Sequence, residues 1–512
     1  MMRLIDRILD RFTMYRLTLY YLIALVALGL VLSVFGIVPG GPIAVIGTTA
    51  ILLGACLLTN LVFARLLRVH ANPESTLITA LILALILGPV SPFTDPRRAL
   101  VIAAAGAAGI ASKYLLAIRR QHLFNPAAVG AAVSGLAFGT FATWWAGNTA
   151  LLPLVLIGGF LLLRKVSRIR MVGVFLAGFV VFLVAMGVAQ GADAAMALQS
   201  ILFVLGQSSV FFFAVVMLTE PATSPKRFSL QVLYALVAAL LYQPQLTILG
   251  QNLTPEEALL AANLLSFIVS PSRKLRLRLK ERIPAGNGIM SFTFDRPPRF
   301  RHRPGQYMEW TLPIAHSDAR GDRRHFSIAS SPTEQVITIA ARFPSVPSRY
   351  KQVLSALPVG AEIVASELGG DFTLPEDPGR PLAFFAGGIG ITPFRSMLKY
   401  CIDKGQKRDI VLVYSSSTED EIVFQDVLNE ARRNGVKIVH TLTDPARVPP
   451  DWSGRCGYVD ATLIRQEVSR IEERLSFISG SAGFVNAVKT SLRDLKVPRR
   501  HVRTDYFPGY SM

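Results

Sequence analysis

The sequence predicts a multi-domain protein. A polytopic α-helical membrane domain of about ten helices (residues 1–270) is followed by a small antiparallel β-barrel domain (271–378) and an α/β doubly wound domain with a parallel sheet (379–512). Three observations predict this order. Long apolar runs fill the first part and stop near Val269, and the mean hydropathy of the whole chain, +0.43, is too high for a soluble protein. From Lys274 the texture changes to strict alternation, Leu275-Arg276-Leu277-Arg278-Leu279-Lys280, the period of a strand. From Leu382 onward, apolar strand-like runs alternate with helical patterns, which is the signature of a parallel sheet covered by helices.

The membrane part contains ten apolar segments: Leu17–Val38, Ile43–Ala64, Leu77–Val90, Leu100–Ile118, Pro126–Thr143, Ala150–Leu163, Val172–Ala189, Leu198–Leu218, Phe228–Tyr242 and Ala258–Val269. Several are shorter than the ~20 residues that cross a bilayer. Such segments are tolerated where neighbours bury them or where they line a cavity. The first lacks a small-residue cleavage site and reads as a retained helix. Basic residues recur at every second turn: Arg3, Arg7, Arg11 and Arg16 first, then Arg65 and Arg68, Arg119 and Arg120, Arg164 to Arg170, Lys226 and Arg227, Arg273 and Lys274. By the positive-inside rule both termini, and the domains that follow, face the cytoplasm of a multi-pass protein in a bacterial inner membrane. Arg97 and Arg98 are the exception, on the outer side beside Asp95. Thr254-Pro255-Glu256-Glu257 opens the last helix with a cap, a proline and acids.

The third helix of each five-helix half is irregular. Leu77–Val90 is short and entered through Glu74-Ser75-Thr76, and Leu198–Leu218 is interrupted by Gly206-Gln207-Ser208-Ser209. Paired broken segments point to a binding site near the midplane; the alternative is that Ser and Gln only join helices through hydrogen bonds.

Charge and composition exclude several functions. Residues 1–270 hold 17 Lys and Arg against 8 Asp and Glu, and the rest hold 36 against 26, so the formal charge of +19 is not gathered into a nucleic-acid patch. It suits membrane lipid and anionic phosphates instead. Cys56, Cys401 and Cys456 lie far apart, which leaves neither a disulfide framework nor a four-cysteine iron–sulfur cluster. The seven histidines (His70, His122, His302, His316, His325, His440 and His501) all fall outside the apolar segments, so haem with axial ligands inside the bilayer is not expected.

The soluble part carries the chemistry. Pro304-Gly305-Gln306-Tyr307, Arg324-His325-Phe326-Ser327, Gly370-Asp371-Phe372 and the loop Gly387-Gly388-Ile389-Gly390-Ile391-Thr392-Pro393 follow one another in that order. The last loop lies between the strand Leu382–Ala386 and the helix Phe394–Cys401. Glycines there let backbone approach a pyrophosphate at a helix N-terminus, as in a Rossmann-like fold. Read singly, each motif is compatible with a plain strand or turn; their joint order points to a flavin site followed by a nicotinamide-nucleotide site.

This order resembles the ferredoxin–NADP+ reductase family over about residues 274–512. The resemblance implies FAD and NADH or NADPH as cofactors. It implies that Arg324 pairs with the flavin pyrophosphate, that Phe326 packs on the isoalloxazine, and that Ser327 lies near N5, where hydride arrives, with Tyr307 and His325 also among the cofactor-binding residues. It also implies that Ser348 opens a helix receiving the pyrophosphate. Gly387, Gly388, Gly390, Thr392 and Pro393 would hold the nucleotide, with Thr392 in direct contact, and Phe507 belongs to a terminal region that lines the flavin or closes the last strand. Two departures stand out. Ser479-Gly480-Ser481 replaces the family's Cys-Gly-Pro, so Ser479 takes the catalytic place by the nicotinamide. Ser415 to Glu421 lacks the basic residues that grip a 2′-phosphate, which leans to NADH.

The membrane part has its own resemblance. Glu74-Ser75-Thr76-Leu77-Ile78-Thr79, Phe124-Asn125-Pro126-Ala127 and Glu220-Pro221-Ala222-Thr223-Ser224-Pro225 resemble the family of membrane proteins shared by the Na+-translocating NADH:quinone reductase and the Rnf complex, over about residues 60–270. That family carries flavin in or on its membrane domain, including FMN on the last Thr of an outward Ser/Thr-Gly-Ala-Thr motif. The corresponding loop here is Ala146-Gly147-Asn148-Thr149-Ala150, where Thr149 is the FMN acceptor the resemblance implies and capping of the sixth helix is the favoured alternative. The expectation is therefore a membrane-bound NAD(P)H-oxidising flavoprotein that passes electrons to a membrane carrier, flavin or quinone, and to an extracytoplasmic acceptor. Redox-driven Na+ or H+ movement, with Glu74 and Glu220 as coupling carboxylates, is one alternative. A reductase merely tethered by its helices is another.

Overall fold

The computed structural model describes residues 9, 12–67, 73–118, 121–207, 209–248, 250–270, 274–314 and 322–507. His70, Ser208, His316 and the basic residues Arg3, Arg7, Arg11, Arg68, Arg119, Arg120 and Arg273 lie outside the described residues, as do residues 508–512. The chain divides into two compact units, Met1–Arg273 and Lys274–Met512.

The first unit is helical. Its helices are α1 (Met14–Val34), α2 (Gly41–Leu66), α3 (Pro73–Ile86), α4 (Pro96–Leu115), α5 (Pro126–Phe138), α6 (Leu152–Val166), α7 (Ile169–Ala189), α8 (Ala194–Gln207), α9 (Phe228–Leu241) and α10 (Pro255–Val269), with a further turn at Val210–Met217. Local chemistry sets the starts. Thr13 and Asn125 cap α1 and α5 through side-chain oxygens, and Thr254 with Glu257 forms a reciprocal capping box on α10.

A helix forms at each of the ten apolar runs, yet the expectation of ten spanning helices is corrected. Among the described residues four are long and apolar enough to cross a membrane: α1, α2, α4 and α7. A fifth joins them if α8 and Val210–Met217, bent by 62°, make one broken span. The 14 residues of α3 rise only ~21 Å, short of a ~30 Å hydrocarbon core. Sequence runs of Ala, Leu and Gly cannot say whether the apolar surface meets lipid or other helices. Here Ala80 to Leu87 are all buried within the unit.

The second unit joins two sheets. Six antiparallel strands, β1 (Leu275–Gly286), β2 (Ile289–Asp295), β3 (Tyr307–Thr311), β4 (Arg323–Ser327), β5 (Val336–Arg342) and β6 (Glu362–Gly369), run in the order β4-β3-β6-β1-β2-β5. The two outer strands meet where Ala329 N–H donates to Thr338 O, at 2.8 Å, which curls the sheet around Phe292, Phe294, Met308 and Trp310. Helix α11 (Arg349–Ala356) covers one end, with the Tyr350 hydroxyl donating to Trp310 O at 3.0 Å.

The other sheet is parallel throughout: β7 (Leu382–Gly387), β8 (Ile410–Ser416), β9 (Lys437–Leu442), β10 (Arg455–Cys456), β11 (Leu475–Ser481) and β12 (Val502–Phe507), in the order β10-β9-β8-β7-β11-β12. Helices α12 (Thr392–Asp403), α13 (Gln425–Arg433), α14 (Ala461–Glu467) and α15 (Ala482–Asp494) lie between the strands in sequence. The chain leaves β7 toward β8 on one side and returns to β11 on the other, so the C-terminal ends of β7 and β11 border the crevice where such sheets bind ligands.

Candidate functional site

Three glycines shape the turn after β7, each for its own reason. A Cβ on Gly390 would lie 2.3 Å from Ser479 O, and one on Gly387 would lie 2.7 Å from the Phe484 ring, so both are needed for close packing of turn on sheet. Gly388 is left-handed (φ +52°) and would meet nothing within 4 Å. Open space beside an exposed backbone at a helix N-terminus suits a pyrophosphate. Pro393 lies in the first turn of α12, where a missing N–H costs nothing. Thr392 is buried, and its hydroxyl donates to Ile389 O at 3.2 Å, which fixes the side chain within the turn.

Strand β4 brings the other motif. Arg324 pairs in register with Trp310 and Phe326 with Met308, which puts these two side chains on the face toward α11. The Arg324 guanidinium lies 4.9 Å from the Tyr350 ring centroid, at the first turn of α11, and the Phe326 ring lies 6.1 Å from the same ring. Ser348 is the N-cap of α11 and accepts from Lys351 N. A fixed guanidinium beside a helix start is a donor set matched to a diphosphate. On the opposite face, Tyr307 stands edge-on to His325 at 5.4 Å and would touch a Cβ on Gly370 at 3.1 Å. Gly305, left-handed at φ +92°, leaves no room for a Cβ, which would fall 2.2 Å from Phe372 O. The Pro-Gly-Gln-Tyr turn therefore packs against the Gly-Asp-Phe turn.

The sheets converge on a cluster of buried polar atoms. Ser327 ends β4, and Ser479 pairs with Asp505 across the parallel strands β11 and β12. Ser327 and Ser479 are buried, and Ser327 Oγ, Ser479 Oγ and Asp505 Oδ2 have no hydrogen-bond partner of ordinary geometry among the described residues. Burial and the neighbouring Asp371 push the Asp505 carboxyl up to about 6, while the nearby Ser327 hydroxyl opposes the shift. Ser327 and Asp505 are close enough to interact but not aligned as a formed bond, and we read them as awaiting a shared third partner. Buried polar atoms without partners are costly in a finished core. Hydroxyls and a carboxyl at the edge of a nucleotide crevice fit the polar rim of an isoalloxazine and a nicotinamide. Asp505 is the acid of the terminal acidic-x-Phe segment, whose two readings were lining the flavin and closing the last strand; its pairing with Ser479 was not anticipated. The backbone of Phe507 pairs with Ser481 and completes β12.

The helical unit behaves differently. Thr149 does not cap the sixth helix: α6 begins at Leu152 with Leu151 as N-cap, and the Thr149 hydroxyl donates to Gly206 O at 3.0 Å, beside the break after α8. The capping expectation is corrected accordingly. Glu74 is held by Arg16 at 2.8 Å. Lys113 Nζ donates to Ser75 O and Oγ, each at 3.0 Å, and Glu220 has Lys113, Thr223 and Asn125 as its electrostatic neighbours. Buried Glu256 accepts from Trp144 Nε1 at 3.1 Å. Among the described residues no group of three His, Cys, Asp or Glu could hold a metal ion.

A curled antiparallel sheet with a diphosphate-ready arginine, joined to a parallel sheet with an open glycine turn, defines a flavin-dependent reductase of nicotinamide nucleotides. Residues 384–490 match the oxidoreductase NAD-binding domain family. Ferredoxin–NADP reductase B of Sorangium cellulosum is 30% identical over 239 residues, covering 44% of this chain and 93% of that protein. Flavohemoprotein A of Dictyostelium discoideum is 25% identical over 44% of this chain and 58% of its own length. The glycine betaine monooxygenase reductase subunit of Chromohalobacter salexigens is 26% identical over 42% of this chain and 59% of its own length. The chain thus spans somewhat over half of these last two relatives. Through its C-terminal half the protein belongs to the ferredoxin–NADP reductase family, and that half is of the NAD(P)H-dependent oxidoreductase kind.

Proposed function

We propose that this protein is a membrane-bound reductase that takes hydride from NADH to FAD and delivers electrons to a flavin or quinone carried by its helical unit, and onward to an extracytoplasmic acceptor. The observation that carries the first step is the meeting of buried Ser327 and Ser479 with half-buried Asp505, beside the open Gly388 turn; Asp505 pairs with Ser479 across the strands and lies next to the Ser327 hydroxyl.

FAD, when bound, supplies hydride acceptance and electron release. The chain supplies placement. Arg324 and the α11 N-terminus would hold the pyrophosphate, and Phe326, on the same face of β4 as Arg324, would pack on the ring, with Tyr307 and His325 supporting the strand from its opposite face. Ser327 Oγ would sit by the hydride-accepting edge and Ser479 Oγ by the nicotinamide. Asp505 holds a proton below pH about 6 and a negative charge above it. The nucleotide turn, Gly387 to Pro393, orients the other reactant.

NADH is favoured over NADPH by the acidic stretch beyond the end of β8, where Glu419 and Asp420 outnumber Arg447 around a cavity of about 270 Å³ that Thr418 and Pro449 complete. The net negative charge there opposes a 2′-phosphate. The membrane-protein resemblance of residues 60–270 and the four long apolar helices support placement in a bilayer, with the basic turns favouring cytoplasmic termini. Redox-driven cation movement is a second reading. It is favoured by the neighbouring Lys113 and Glu220 in the helical unit, and sealed vesicles oxidising NADH would reveal it as a Na+ or H+ gradient.

The decisive experiment is on Arg324. Arg324→Ala is expected to purify folded but without FAD and without NADH-dependent bleaching. A variant that keeps a full complement of flavin and full activity removes the assignment.

A further inference from the structure

The two reactants are held by different sheets of the same unit. The flavin edge is set by the end of β4 at Ser327, and the nicotinamide by the turn after β7. Hydride transfer tolerates little error in the distance between them; a misplacement of about 1 Å can cost on the order of a hundredfold. Something must fix one sheet against the other, and the chain just after each motif is tied to the other.

We infer that the Glu334–Arg395 pair is a positioning clamp that sets the flavin-to-nicotinamide distance. Arg395 is three residues past Thr392, on the first turn of α12, and Glu334 is seven residues past Ser327. The guanidinium grips the carboxylate with two N–H groups, Nη1 to Oε2 and Nη2 to Oε1 at 2.9 Å, and Nη1 also donates to Ala329 O at 3.2 Å. Both side chains are largely shielded, at 12% and 20% exposure. The carboxylate is itself fixed, since Oε2 accepts from Ser331 N at 2.5 Å. Next to the pair, Ser396 Oγ donates to Ser330 O at 2.7 Å between two fully buried serines, and Thr333 Oγ1 donates to Asp403. Arg296 holds the outer side of the same loop through Pro332 O and Glu334 O, at 2.7 and 2.6 Å.

The loop 328–335 is thus braced from the barrel side and latched to α12 from the nucleotide side. A two-pronged guanidinium on a carboxylate fixes direction as well as distance, which a lysine could not do. An ion pair serving stability alone could sit anywhere on the seam; this one joins the two segments that carry the flavin and nucleotide motifs. In the reaction it would serve, C4 of the dihydronicotinamide gives up a hydride, leaving the oxidised nucleotide. Flavin N5 receives both electrons and the proton they carry.

The inference rests on the reading of the site given above, and the experiment separates the two. Full-length FAD-loaded wild type, Arg395→Gln, Glu334→Gln and the exchanged double variant Arg395→Glu/Glu334→Arg are mixed anaerobically with NADH and with 4-deuterated NADH. Each single variant should keep its flavin and bind NADH within about twofold of wild type, yet reduce flavin about tenfold more slowly, with a larger isotope effect. The exchanged variant should recover most of the rate. Hydrogen exchange in the flavin-free proteins should quicken together at residues 328–335 and 392–398 in the single variants. Unchanged reduction in Arg395→Gln overturns the clamp while leaving the site intact. So does a rate loss that merely follows flavin loss, or an exchanged pair that folds but regains nothing. A wild type that neither NADH nor NADPH bleaches overturns the site itself.

Discussion

The nucleotide sheet and the helical unit dispose of their buried polar groups in opposite ways. At the C-terminal edge of the sheet, Ser479 and Asp505 are left with unmet hydrogen-bonding atoms. In the helical unit several polar groups satisfy one another, half-buried Glu74 with Arg16, Lys113 with Ser75, Trp144 with Glu256, and Asn263 with Asn125 and Tyr234, although Ser224 Oγ and Gln243 Oε1 stay unmet. Groups at the C-terminal ends of parallel strands border the crevice, because strand backbones satisfy their own ladder and stop abruptly there. Met groups between helices hold the helices to each other where lipid offers no hydrophobic drive. A polar residue therefore marks a binding site more reliably in the first setting than in the second.

That contrast can be broken or sharpened by experiment. The largest effect should come from Gly390→Ala, whose new methyl group meets the Ser479 carbonyl at 2.3 Å. Backbone must move, and the soluble unit should lose about 2–3 kcal/mol of stability together with nucleotide binding. Gly388→Ala meets no protein atom, and its left-handed backbone costs about 1–2 kcal/mol of stability, while its methyl group enters the space given to the pyrophosphate and weakens NADH binding. Thermal unfolding of the two variants would expose a false comparison if they proved equally destabilised.

Asp505→Asn comes next. The carboxyl is raised from 3.8 to about 6 in the folded protein. Its contribution to stability is therefore fully present below pH about 4, is lost as pH rises to about 6, and is absent above; the span is at most about 3 kcal/mol. Unfolding midpoints measured from pH 4 to 7 should slope downward in wild type and lie flat in the variant. Removing the charge should also raise the flavin midpoint potential, by about 30 mV if about 1.4 kcal/mol is relieved. A slope surviving in the variant would place the titration elsewhere.

Asp420→Lys exchanges repulsion for attraction at the rim of the Arg447 cavity. The NADPH-to-NADH ratio of kcat/KM should rise about tenfold, a change of about 1.4 kcal/mol. An unmoved ratio would mean that the 2′ position lies away from this cavity. The smallest effect is expected from Thr149→Val in the helical unit. Losing one hydrogen bond to Gly206 O should cost about 1 kcal/mol and leave flavin content and in-gel fluorescence as in wild type. Disappearance of a fluorescent band would turn Thr149 into a flavin attachment point and reverse the contrast drawn above.

Much of the soluble unit was legible in the chain. The runs Leu382–Ala386, Ile410–Tyr414, Lys437–Leu442 and Leu475–Ser479 became β7, β8, β9 and β11, because continuous apolar strands bounded by turns have few alternatives. The tight turn from Gly387 to Pro393 was legible in outline, because close backbone approach demands glycine at particular positions. Asp505 was harder to read, since nothing near it in sequence announces that β12 will run beside Ser479. The number of membrane spans was overread. Apolar length alone could not separate α3, buried by neighbouring helices, from α1 or α7, whose length and composition suffice for a bilayer.

By itself the sequence determined the class of most elements and where the glycine turns fall, because periodicity and glycine act through neighbours a few residues away. Only the tertiary structure decided that Ser327, Ser479 and Asp505 share one site, that Thr149 bonds Gly206, and that Glu334 reaches Arg395. Those partners lie tens to well over a hundred residues apart in the chain, and their meeting depends on strand order and helix packing that no local pattern encodes.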